Sequence, residues 1–471
     1  MTTRRLLCAT FACLTLAIIS LLLAREPVYD AWSWLVWGRE LAHLQLDTTS
    51  GPAWKPLPVL LAAVLSLAGD AAPHLWLVLV RAAWLMGLVS AAQISLTLTA
   101  GRPRGPRIAG AAFAVLCIVL LADDVTHWSR QVAGGMAEPL LVALVLGATW
   151  AALIGRTRTA LVLGALASLT RPEIFVPLAL YGLWCWRTQS VRPVRPIRPS
   201  TRALVLGAVL VVPALWLLPD LVADGPRGSA QRAQTDTGDP LEALGWAVMA
   251  PAAVAWPLAL GAALLDRRAR VLGAGALVLV AIVAAMTVAG FAGLPRFMAP
   301  AAAIIAVLGG AGLASMLAQR RATWVVALVV PALAVTALTL PARVVDVPYD
   351  WRIAARIDGE HDRLRDVASS IGRERLLACG RLATSDVLAR TALAWKLDVA
   401  LSQVVSFGTR PRLSGAFVVG LQASPGLRHD VRTTATLVAE NGEWSVYSID
   451  CPATARPSPE ARSAGVSGAT R

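Results

Sequence analysis

Residues 4–23 read Arg4-Arg-Leu-Leu-Cys-Ala-Thr-Phe-Ala-Cys-Leu-Thr-Leu-Ala-Ile-Ile-Ser-Leu-Leu-Leu23. Two arginines precede a run without any charge, and a spanning helix needs about 20 such residues. A basic flank and an apolar core also suit a signal peptide. The run is long, however, and Ala24-Arg-Glu-Pro27 offers no small-x-small cleavage site. The reading is a retained first helix with its N-terminus inside.

Outward from this run the pattern repeats. Further apolar stretches lie at 75–99, 107–122, 135–154, 159–170, 173–186, 203–219, 242–265, 271–291, 297–317 and 323–341. The chain is 56% hydrophobic and only 15% charged, whereas soluble domains carry about 25% charge. The apolar excess falls in blocks. Helices that satisfy their own backbone are the simple way to place such blocks in lipid. The expectation is an all-α polytopic membrane protein with about eleven transmembrane helices.

The loops test that count. With Arg4 and Arg5 inside, alternation also places inside Arg102/Arg104/Arg107, Arg156/Arg158, the stretch Arg187 to Arg202, Arg267/Arg268/Arg270 and Arg320/Arg321. These segments hold 17 basic residues against one acid, Asp266. The opposite loops hold Glu26, Asp30, Asp47, Asp70, Asp123, Asp124, Asp220, Asp224, Asp236 and Asp239. This is the positive-inside bias. It explains the net charge of +14 without nucleic acid, because no basic domain with interleaved aromatics is present. Only Lys55 and Lys396 are lysines, and with the Ala/Val/Leu/Arg richness this suits a high-GC bacterial genome. The expected location is the plasma (inner) membrane, with the N-terminus cytoplasmic.

The expected domains are a transmembrane domain, 1–341, with an outer loop at 24–74; an extracytoplasmic α/β domain, 342–451; and a disordered tail, 452–471, rich in Pro, Ser, Ala and Gly. In the α/β domain, Glu374 to Cys379 and Gly415 to Leu421 read as strands, and Ser385 to Leu397 as an amphipathic helix. Asn441-Gly442 between alternating apolar runs predicts a hairpin over Thr436 to Ile449. Cys8, Cys13, Cys117 and Cys185 fall in apolar helices as small apolar residues. Cys379 and Cys451 lie in the outer domain, where an oxidising exterior permits a disulfide; two buried free thiols are the alternative.

Candidate chemistry gathers in the outer loops. The first reads Arg25-Glu-Pro-Val-Tyr-Asp30-Ala-Trp-Ser-Trp34-Leu-Val-Trp37-Gly-Arg39-Glu40, followed by Trp54-Lys55-Pro56-Leu-Pro58. Three tryptophans on a short helix-like stretch suit a helix lying in the membrane interface. Asp30 begins that helix, either as an N-cap or as a functional carboxylate. Asp123-Asp124 ends the third span and Glu138 opens the fourth. Thr170-Arg171-Pro172-Glu173 predicts a chain break, because a residue before proline avoids helical geometry. Leu294-Pro-Arg296-Phe297 enters a late span.

This order of features resembles the GT-C superfamily, membrane glycosyltransferases that use polyprenyl-phosphate sugars and include protein O-mannosyltransferases and lipid A aminoarabinose transferases. The resemblance covers about residues 1–320; the C-terminal domain carries no close match. It implies an inverting hexosyl- or pentosyltransferase acting on the outer face. The donor would be a polyprenyl-phosphate sugar reached laterally from the bilayer, and the acceptor a cell-envelope glycan, lipid or protein. Asp30 would be the general base. Arg171, Arg296 and Lys55 would bind the donor phosphate; the plain alternatives are face anchors and an Arg171–Glu173 charge pair. Asp123, Asp124 and Glu138 would hold acceptor hydroxyls or a divalent metal, Mg²⁺ or Mn²⁺. Asp30 stands alone where many such proteins carry Asp-x-Asp, which leaves metal dependence open. His127 lacks clustered partners and reads as a polar surface residue. No phosphate loop or dinucleotide fingerprint is present. The rivals are a transporter or flippase for a lipid-linked precursor, which should show internal repeats, and a non-catalytic anchor.

Overall fold

The structure is a computed structural model that describes residues 3–122, 128–191, 199–223, 234, 239–319, 323–379, 381–406, 415–422 and 435–451. The chain forms two compact units. One comprises Met1–Leu23, Ala53–Pro58 and Leu75–Arg352; the other comprises Ala24–Pro52, Val59–His74 and Ile353–Arg471. Most of the first outer loop therefore groups with the C-terminal residues.

The first unit is helical and built from the expected apolar blocks. Among the described residues, six helices are long and apolar enough to cross a membrane: Thr3–Leu22, Gly69–Leu98, Thr201–Pro219, Arg267–Val288, Pro295–Ala318 and Ala327–Ile371. Shorter apolar helices, Ala137–Leu153, Thr157–Thr170 and Ala255–Leu265 among them, pack against these. The architecture is a polytopic membrane protein. Two boundaries differ from the sequence reading. The block at 242–265 is two helices, Pro240–Met249 and Ala255–Leu265. Ala250 still has helical dihedrals, but Pro251 lacks the N–H needed to continue the first helix. Conversely, the helix that starts at Thr323 does not stop at Pro341; it runs to Ile371.

Small residues bring the central helices together. A Cβ on Gly110 would meet the carbonyl oxygen of Gly310 at 2.2 Å, and one on Gly312 would meet that of Leu258 at 1.9 Å. Such close backbone approach is how membrane helices gain packing energy when lipid is as apolar as their side chains. It also anchors Pro295–Ala318, the candidate span most buried by its neighbours.

The second unit contains a five-stranded sheet in the order β2-β1-β3-β5-β4. The strands are β1 (Arg381–Thr384), β2 (Val404–Ser406), β3 (Ala416–Leu421), β4 (Thr436–Glu440) and β5 (Trp444–Ile449). β1 pairs parallel with β2 and β3, and β5 pairs antiparallel with β3 and β4. The β4–β5 hairpin turns where expected. Gly442 takes φ +80°, which favours glycine, and Asn441 Oδ1 accepts from the Trp444 N–H at 3.1 Å. The strand expected at Glu374 to Cys379 is instead a short helix, Arg373–Leu377, with β1 beginning at Arg381. Arg and Glu are good helix formers, and Gly372 ends the preceding helix at φ +89°. A disulfide joins Cys379 and Cys451, with Cα atoms 5.8 Å apart.

The helix Tyr29–Ala42 is held into this unit at both ends. Upstream, the two Asp358 carboxylate oxygens accept from the backbone N–H groups of Arg25 and Glu26, each at 2.9 Å. Glu26 in turn meets His361 Nδ1 at 2.8 Å and accepts from Lys396 Nζ at 3.4 Å. Downstream, Arg39 donates to the carbonyls of Trp395, Ala394 and Val399 and pairs with Asp398 at 2.9 Å. Both oxygens of buried Glu40 accept backbone N–H bonds, from Asp47 and from Leu401, each at 3.1 Å.

Candidate active site

Four turns of the first unit each contribute a charged side chain to one cluster. Lys55 precedes Pro56, whose fixed φ opens the helix Pro56–Ser66. Glu138 lies in the first turn of Ala137–Leu153, where the helix dipole favours a carboxylate. Arg171 caps Thr157–Thr170 with extended backbone, φ −148° and ψ 128°, as a residue before proline should. Glu173 follows in the turn Pro172–Ile174, and Arg296 sits in the turn Pro295–Met298.

Glu138 is the centre. Its Oε1 accepts from Lys55 Nζ at 3.1 Å and from Arg171 Nη1 at 3.5 Å. Arg296 Nε lies 3.9 Å from the same oxygen, within ion-pairing range. Oε2, also buried, accepts no hydrogen bond among the described residues. Arg171 Nε pairs in addition with Glu173 Oε1. The guanidinium carbon of Arg171 lies 3.4 Å from the centroid of the Phe297 ring, and that of Arg296 lies 5.7 Å from it. Glu138, Glu173, Lys55 and Arg171 are buried and Arg296 half-buried. Cations at such a site are costly unless paired and, once fixed, interact strongly with an incoming anion.

Lys55, Arg171 and Arg296, the three cations expected to bind phosphate, are thus brought together on Glu138. The geometry assigns that carboxylate to cations, whereas the sequence had grouped it with Asp123 and Asp124 for an acceptor or a metal. Asp123, Asp124 and His127 lie outside the described residues. Among the described residues, no three His, Cys, Asp or Glu side chains gather as a metal site. Three cations face the Oε1 of Glu138.

Asp30 belongs to the second unit. It is half-buried in the first turn of Tyr29–Ala42, whose N-cap is Val28 and not Asp30. Sequence reasoning missed two other carboxylates of that unit. Burial pushes Glu40 up to about 7, against the two backbone hydrogen bonds that favour its charged form. Glu26 goes the other way: burial would raise it, but the His361 hydrogen bond and the Lys396 and His361 charges hold it below the usual range. His361 and Lys396, which meet Glu26, and Leu401, which meets Glu40, lie more than 300 residues along the chain, so no local motif announces these contacts.

No protein-family model and no curated protein matches the sequence. Solved structures resemble the fold over nearly the whole chain. ArnT from Cupriavidus metallidurans bound to undecaprenyl phosphate aligns with TM-score 0.58 at 15% identity, covering 97% of this chain and 100% of that one. The same protein in the apo state aligns with TM-score 0.56 at 16% identity, covering 97% and 99%. This chain therefore shares the fold of ArnT, and its second unit carries a small α/β domain.

Proposed function

We propose that this GT-C-fold protein transfers a sugar from a polyprenyl-phosphate-linked donor to an acceptor hydroxyl on the outer face of the plasma membrane. The observation that carries the reading is the convergence of Lys55, Arg171 and Arg296 on Glu138. Three cations held at helix ends, two of them deeply buried, form a receptor for a phosphate whose lipid tail stays in the bilayer. The undecaprenyl phosphate of the ArnT structure is the ligand class this chemistry suits. The loop charges support a cytoplasmic N-terminus and an extracytoplasmic C-terminal domain.

In the reaction the acceptor oxygen attacks the anomeric carbon with inversion. The bond from that carbon to the phosphate oxygen breaks, and polyprenyl phosphate leaves with the bonding electrons. Asp30 takes the hydroxyl proton as general base. Charge growing on the phosphate is stabilised by Arg171, Arg296 and Lys55, already in place before the reaction. No step here is routed through a metal. A cell-envelope glycan, lipid or protein would supply the hydroxyl.

The test uses the purified protein in nanodiscs. Undecaprenyl phosphate should bind, and Lys55→Ala or Arg296→Ala should weaken binding about ten- to hundredfold, the loss expected for a hydrogen bond to a charged group. Incubation with undecaprenyl-phosphate sugars and cell-envelope extract should release undecaprenyl phosphate and transfer the sugar. Absence of binding overturns the reading. Translocation of the lipid with its sugar bond intact would make the protein a transporter instead.

A further inference from the structure

The geometry points to Glu138 as a resident competitor of the phosphate, a carboxylate that sets how tightly the site holds the product relative to the donor. The inference rests on the function proposed above and concerns the same cations. Lys55 Nζ, Arg171 Nη1 and Arg296 Nε all address one oxygen of Glu138, at 3.1, 3.5 and 3.9 Å. These are the groups a phosphate oxygen would engage. Glu138 is fully buried, so water screens its charge little.

Donor and product differ in charge. A sugar phosphodiester carries one negative charge. The departing monoester takes a second, because its second ionisation lies near pH 6. Any fixed positive charge at the site favours the dianion over the monoanion, and any fixed negative charge does the reverse. Three cations without a counter-charge would hold the product hardest and stall turnover at release. A carboxylate on the same cations lowers affinity for the dianion more than for the donor. Glu138 is thus a specificity-determining residue for donor over product. Glu173, paired with Arg171 Nε, acts in the same direction from the other side of that guanidinium.

Two ligands of equal tail length read this out at pH 8: undecaprenyl phosphate, a dianion, and its monomethyl ester, a monoanion. Wild-type protein in nanodiscs should bind the dianion no more tightly than the monoanion. Glu138→Gln should shift preference toward the dianion by at least about tenfold, since one charge at ion-pair distance moves binding by more than a decade at an effective dielectric of about 20. In turnover with an undecaprenyl-phosphate sugar, product inhibition should deepen by the same factor. Glu138→Asp keeps the charge and should keep the wild-type preference. Glu173→Gln removes a charge elsewhere and should shift preference the same way, which serves if Glu138→Gln does not fold. The inference is overturned if wild type already favours the dianion tenfold. It is equally overturned if a folded Gln variant strengthens both ligands alike or leaves the preference unchanged. If wild type binds neither ligand, the function proposed above has failed instead.

Discussion

The guanidinium of Arg171 lies over the Phe297 ring, its central carbon 3.4 Å from the ring centroid. Its edges meanwhile face Glu138 and Glu173. A ring beneath and carboxylates at the rim fix a planar cation in one orientation. An ammonium on a flexible stem has no plane to fix.

Arg171→Lys is therefore not conservative. It keeps the charge and loses the stacking and one fork of hydrogen bonds. Undecaprenyl phosphate should bind about tenfold more weakly, as for one lost charge-assisted hydrogen bond, with the helical content unchanged. Binding at wild-type strength would reduce Arg171 to a generic positive charge.

Asp30→Asn separates a base from a structural carboxylate. Val28 is the N-cap, so the substitution leaves the cap untouched. It removes a favourable charge near the helix N-terminus, worth about 0.3–1 kcal/mol. Sugar transfer should fall roughly 10²- to 10⁴-fold, while undecaprenyl phosphate binding holds. Transfer at the wild-type rate by a folded variant would remove Asp30 from the mechanism.

Glu40 predicts a pH dependence of stability. Its pKa rises from the ordinary 4.5 to about 7 in the folded protein. Between those values the folded state keeps a proton that the unfolded chain has released, so stability falls as pH rises. Glu40→Gln cannot ionise and lacks this slope. Melting midpoints in detergent at pH 5 and pH 7.5 should show wild type losing a few degrees relative to the variant. Parallel profiles would mean that Glu40 is charged throughout.

Gly312 tests the helix packing. A methyl group there would lie 1.9 Å from the Leu258 carbonyl oxygen, so backbone must move. Gly312→Ala should destabilise by about 1–3 kcal/mol, the usual cost of overpacking. At Gly207 a Cβ meets nothing within 4 Å, and Gly207→Ala should fold and melt like wild type. Equal melting of the two variants would contradict the close approach of the helices Ala255–Leu265 and Ala299–Gln319.

The candidate site was legible because proline punctuates it. Lys55-Pro56, Arg171-Pro172 and Pro295-Arg296 each mark a helix start, and loop charge parity put all three on one side. The centre of the site was less legible. Nothing near Glu138 in sequence says that three cations from distant turns share one of its oxygens; that follows only from packing. Pro341 misled, since proline usually ends a helix. Here the helix continues past it, and its later turns bury Ala354, Leu364, Val367 and Ala368, contacts that offset the lost hydrogen bond. The sheet was read from alternation and turn chemistry, and the slip at Glu374 arose because a short charged segment carries neither periodicity.

The clamp on the helix Tyr29–Ala42 has a consequence for how the protein is made. Glu40 waits for Leu401, 361 residues downstream. At ribosomal speeds of about 5–20 residues per second, that interval is roughly 20–70 s. Throughout it, a tryptophan-rich segment has emerged without its permanent partners. During that window the bilayer interface is the natural resting place for Trp32, Trp34 and Trp37. Late truncation of the chain should therefore strand this early segment, and a quality-control protease would meet the defect near the N-terminus although the lesion lies at the other end.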